Sequence, residues 1–66
     1  MRQNLINKRK ARKLTQVETA QIIGITARQY KNIEAGTSNG SVKVWQKISE
    51  LFEKPIDWLL EQTDEM

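Results

Sequence analysis

Between Thr15 and Gly36 the chain states the limits of a helix twice over, and this constrains the fold more than any other feature. Thr15-Gln16-Val17-Glu18 reads as a capping box, in which the threonine oxygen accepts an early backbone N–H and Glu18 reaches back. Gly24 then suits the left-handed residue that ends a helix. Thr26 follows as a second N-cap with Gln29 at the capping-box position, and Gly36 closes that helix. Two helices this short cannot stand alone in water and must pack on each other and on the rest of the chain.

The remaining residues supply that support. Helical spacing is visible elsewhere too, whereas strand-like alternation is not, so the reading is all-α with five helices over about 4–13, 16–23, 27–35, 42–53 and 55–61. Leu5 and the stem of Arg9 share a face of the first helix. Val17, Ala20 and Ile22 or Ile23 are the apolar positions of the second, and Tyr30 and Ile33 those of the third. Ser41 can cap a fourth helix bearing Val42, Trp45, Ile48, Leu51 and Phe52. Pro55 fits the first position of a fifth, which carries Ile56, Leu59 and Leu60. The tail 62–66 has nothing to bury and is expected to fray. At 66 residues the whole is expected to be one domain.

Composition removes whole classes of function. There is no cysteine and no histidine, hence no thiolate or imidazole metal site and no imidazole base, and no carboxylate pair stands out for acid–base work. Neither an enzyme nor a metal or other cofactor is expected. Without a long apolar run or a signal-like N-terminus, the expectation is a cytoplasmic protein with no membrane contact. Charge is segregated: residues 1–31 hold eight basic side chains against one acid, residues 32–66 three against seven. A basic first part suggests a polyanion as partner, although a solvated basic helix gives the same count.

At about 100° per residue, Tyr30, Ile33 and Glu34 fall on one side of the third helix. Arg28 and Asn32 fall opposite, one turn apart, with Lys31 and Ala35 beside them. A guanidinium matches guanine O6/N7, and a carboxamide matches adenine N6/N7. The Ala27 methyl can meet a thymine methyl, and Gln29 can reach a base edge or bond Gln16. Ala20 is small where two crossing helices would meet, and Gly24 tolerates positive φ in the turn between them.

Residues 16–36, QVETAQIIGITARQYKNIEAG, resemble the Cro/repressor (XRE-type) helix-turn-helix. The likeness extends from Leu5 to Leu60 through Leu14-Thr15-Gln16, Ala20, Gly24-Ile25, Ile33-Glu34-x-Gly36, Trp45, Ile48 and Ile56-Asp57-Trp58-Leu59-Leu60. It implies a compact five-helix bundle of the lambda-repressor type that binds double-stranded DNA as a homodimer on a palindromic operator, with repression as the outcome. By position, Ala27, Arg28, Gln29 and Asn32 match base-reading residues. Gln16, Asn39, Ser41 and Lys43 match phosphate contacts, and Arg9 and Glu34 match a buried ion pair. Lys31, Lys8 and Lys10 are further phosphate candidates from the flanks of the motif, with Arg12 and Lys13 beside them; the basic residues of helix one can equally be plain solvated cations. Trp58 and Ile56 can close the core or pack across a dimer seam.

Four positions depart from the family pattern. Lys13 stands where glycine or asparagine is usual, which predicts strain there. Thr19 replaces a leucine, Val17 occupies a commonly polar position and is available to compensate, and Gly40 replaces a common proline, which predicts a looser loop. The rival reading is a protein-interaction module, antitoxin-like or accessory, working through the acidic second part and Trp58.

Overall fold

The computed structural model describes residues 1–62, and among them every regular element is a helix: α1 Gln3–Ala11, α2 Gln16–Ile23, α3 Ala27–Ala35, α4 Val42–Phe52 and α5 Ile56–Leu60. The helix starts follow from local chemistry. Thr15 Oγ1 accepts the Glu18 amide at 3.0 Å while Glu18 Oε1 accepts the Thr15 amide at 2.9 Å. Thr26 and Gln29 repeat this reciprocal pair at 3.1 and 2.9 Å. Ser41 Oγ caps α4 by accepting the Val44 amide at 3.2 Å. Such caps satisfy amides that have no partner within the helix.

Packing pairs α2 with α3 most closely, sets α1 against α3 and α5, and sets α4 against α2 and α5. The shared core is Leu5, Ala20, Ile23, Tyr30, Ile33, Trp45, Ile48, Phe52 and Leu59. Every helix contributes to it. Arg9 joins the core through its stem and lays its charge against Glu34.

Several expectations are corrected. Thr19, not Val17, is buried on α2 beside Ala20 and Ile23; Val17 is 50% exposed and Ile22, on the other flank, 56%. Ala20, Ile23 and Thr19 fill an arc from which Val17 and Ile22 lie about 100° to either side. The Thr19 hydroxyl donates to the Thr15 carbonyl at 2.8 Å, so its burial leaves no polar group unmet. Helix α1 starts at Gln3 and stops at Ala11, two residues short of Lys13. Pro55 is the N-cap of α5 rather than its first helical residue, and α5 ends at Leu60. In the tail, Gln62 is tied rather than frayed: its Nε2 donates to the Gly36 carbonyl at 3.4 Å, and its Oε1 accepts the N-terminal amine at 3.2 Å. Residues 63–66 lie outside the described residues.

Lys13 adopts φ +58, the left-handed region that is costly for a residue with a Cβ. Its amide still bonds the Lys10 carbonyl at 2.9 Å, so the turn is complete and the cost is conformational. Lys13→Gly is expected to raise stability by about 1 kcal/mol, read as a higher urea midpoint at unchanged slope. A lower midpoint would show that the lysine side chain holds the turn in some other way. Gly40 sits at φ +69, which proline, locked near −65°, cannot reach. A proline at position 40 would therefore force a different loop backbone.

Candidate nucleic-acid interface

The turn that joins α2 to α3 is short because Gly24 stands at φ +91 and sends its amide back to the Ala20 carbonyl at 2.8 Å. Ile25 also donates to the Ala20 carbonyl, at 3.0 Å. Ala20 is itself buried, so the second helix crosses close over the first. Lys47 from α4 reaches this corner and donates to the Ile23 carbonyl at 3.2 Å, completing the C-terminus of α2.

The crossing fixes the rotation of α3. Tyr30, Ile33 and Glu34 are buried, while Arg28, Gln29, Lys31 and Asn32 are exposed and Ala27 is half-buried. The side chains of Arg28, Lys31 and Asn32 make no hydrogen bond or ion pair among the described residues. They are free to bond an external partner. Gln29 is committed in part: its Oε1 closes the capping box, so its amide hydrogens are what it can offer, and it does not bond Gln16.

Gln16 instead donates from Nε2 to Glu34 Oε1 at 3.0 Å. A carboxamide has two N–H donors, so one remains for a phosphate oxygen. Glu34 is thus shared: its Oε2 accepts Arg9 Nε at 2.6 Å, and its Oε1 takes Arg9 Nη2 at 3.4 Å as well as Gln16. Arg9 Nη1 donates to the Leu14 carbonyl at 2.7 Å. One buried carboxylate therefore links α1, the start of α2 and α3. Burial, with Glu34 alongside, pushes the Tyr30 phenol well above its ordinary range, so it stays neutral.

The other phosphate candidates are spread over three elements. Asn39 and Ser41 flank Gly40 in the loop before α4, and Lys43 is exposed in the first turn of α4. Lys10 is exposed and Lys8 half-buried on α1, and neither has an ion-pair partner among the described residues. Asn39 Oδ1 accepts Arg2 Nη2 at 3.2 Å, and the Asn39 carbonyl accepts the indole N–H of Trp45.

Arg2 is the residue that sequence reasoning missed. It counts toward the basic first part of the chain, yet it is only 2% exposed and adds little to a positive surface. Its burial lowers the pKa of its guanidinium. It precedes the first helix and belongs to no apolar stripe, so no periodic signal marks it. Trp58 is 36% exposed with Lys54 over its ring at 5.4 Å, and Ile56 is half-buried. Ile56 also lines an open cleft of about 440 Å³ with Asn39, Gly40, Ser41, Val42, Trp45 and Leu60. No group of metal-ligating side chains occurs among the described residues, and none of their helices is long and apolar enough to cross a membrane.

Two short helices locked at a glycine corner, the second presenting a free polar face, define the helix-turn-helix class of DNA-binding domains. Residues 5–59 match the sequence model of the family described as Helix-turn-helix, which covers most of the chain. The chain belongs to this family, the XRE-type helix-turn-helix of DNA-binding regulators, which is not typically enzymatic. No curated protein and no solved structure matches it.

Proposed function

We propose that this regulator binds double-stranded DNA sequence-specifically as a homodimer on a palindromic operator, and represses transcription by occupying DNA that the transcription machinery needs. It performs no chemistry itself. The observation that carries the reading is the face of α3: Arg28 and Asn32 stand exposed and unbonded one turn apart, while Tyr30, Ile33 and Glu34 are buried behind them. Ala27 and Gln29 complete the reading surface. Gln16, Lys31, Asn39, Ser41, Lys43, Lys8 and Lys10 hold the phosphates on either side.

Exposed Trp58, with half-buried Ile56 two residues before it, supports a second copy docking at this end of the molecule. Two copies would set their reading helices into successive major grooves, roughly 34–36 Å apart. Dimer symmetry would then be mirrored in the operator.

Selection from random duplex DNA with the purified chain is expected to enrich an inverted repeat. Arg28→Ala is expected to relax the preference at one position per half-site, a loss of about 1–3 kcal/mol of discrimination there, with the other positions unchanged. Retained preference at every position would remove Arg28 from the reading set. Failure to enrich any motif would favour the protein-interaction reading, in which exposed Glu50, Glu53, Asp57 and Trp58 form the working surface.

A further inference from the structure

We propose that Arg2 is a positioning residue for DNA binding, which holds the loop between α3 and α4 so that Asn39 offers its amide donors to a phosphate. The inference rests on the DNA-binding reading above, and Arg2 itself touches no DNA in it. The backbone amide of Arg2 donates to the Glu34 carbonyl at 2.8 Å, which places the residue at the C-terminal end of the reading helix. Its guanidinium then makes four bonds. Nη1 donates to the Ile33 carbonyl at 2.7 Å and to the Ser38 carbonyl at 2.9 Å, Nη2 to Asn39 Oδ1 at 3.2 Å, and Nε to the Leu60 carbonyl at 3.1 Å. A planar fork with five donors can join the end of α3, the loop and the end of α5 in this way, and an ammonium cannot.

The loop's other ties hold its start rather than the Asn39 side chain: the Thr37 and Ser38 amides donate to the Asn32 carbonyl, the Gly40 amide to Ser38 Oγ, and Gln62 Nε2 to the Gly36 carbonyl. Trp45 lies 5.3 Å below the guanidinium and donates its indole N–H to the Asn39 carbonyl. Both oxygens of Asn39 are thereby occupied, one by Arg2 and one by Trp45. What remains is Nδ2, which has no partner among the described residues and carries the donors that a phosphate oxygen accepts. Released from Arg2, the amide could turn its oxygen outward, and a carbonyl dipole repels a phosphate. A buried cation that makes no surface contact thus decides the polarity of a surface group.

A merely structural stitch would also weaken binding when cut, so the test must read the coupling. Arg2→Lys keeps the charge and removes the fork. Trp45→Phe keeps the ring and removes the N–H. Affinity for a selected operator would be measured at fixed salt and at a temperature where circular dichroism shows each variant folded. Each change alone, and Asn39→Ala alone, is expected to weaken binding about tenfold, about threefold for the phosphate hydrogen bond lost from each of the two protomers. In the Asn39→Ala background the Arg2 and Trp45 changes are expected to cost almost nothing more, because the group they position is gone. If instead the losses multiply to about a hundredfold, or if single variants bind like the parent, the positioning role is overturned while DNA binding stands. If Arg2→Lys does not fold, Trp45→Phe carries the same test. A parent chain that selects no DNA motif would sink the DNA-binding reading itself, an outcome distinct from both.

Discussion

Glu34→Ala is expected to lower the unfolding free energy by about 3–5 kcal/mol, the largest loss anticipated for any single side chain outside the apolar core. The carboxylate is buried and has three donors on it: Arg9 Nε at 2.6 Å, Arg9 Nη2 at 3.4 Å and Gln16 Nε2 at 3.0 Å. An exposed ion pair contributes about 0–1 kcal/mol, but this one is nearly enclosed, with side chains 11% and 3% exposed. Removing the acid leaves a guanidinium in a place that water reaches poorly. Chains of this length have total stabilities of roughly 3–10 kcal/mol, so Glu34→Ala should lose a large share of the margin and unfold at much lower urea. Urea unfolding followed by circular dichroism would measure it. A loss under about 1 kcal/mol would mean that Arg9 finds water, contrary to the low exposure of the pair. Removing both charges with Arg9→Met and Glu34→Leu should recover much of the loss, since the desolvation cost disappears with the pair.

That pair was legible in the sequence only through family resemblance, and the same division runs through the rest of the molecule. The caps at Thr15, Thr26 and Ser41 were legible from residues alone because a cap is decided within four positions of chain. The orientation of α3 was legible because Tyr30 and Ile33 leave it only one apolar side. Helix α2 was harder. Its two ends are pinned by the Thr15 cap and the Gly24 corner, so its rotation is set by those anchors and not by its own most apolar stripe. Hence Thr19 is inside and Val17 outside, a reversal that hydrophobicity alone would not give. Arg2 was not legible at all. Its partners lie 31 to 58 residues away, and a charge near the start of a basic segment reads as surface. The separate roles of Gln29 and Gln16 also depended on distances, because either amide could have served the other.

The strongest functional dependence expected is on salt. Of the proposed phosphate contacts, Gln16, Asn39 and Ser41 are neutral and release no counterions. Lys8, Lys10, Lys31 and Lys43 do, giving four per protomer and eight per dimer. Eight neutralised phosphates predict a slope of log affinity against log salt near −7, so affinity should fall about 10⁴-fold between 50 and 200 mM. Lys8 is the sharpest probe, because it is half-buried on α1 and furthest in sequence from the reading helix. Lys8→Ala removes one ammonium from each protomer. It should flatten the slope by about 2 and weaken operator and unrelated duplexes alike. Arg28→Ala should do the reverse, changing the ratio between sequences more than the slope. A parent slope shallower than about −3 would leave too few phosphate contacts for the proposed seating on DNA. An unchanged slope in Lys8→Ala would assign that lysine to solvent and leave the charged contacts to Lys10, Lys31 and Lys43.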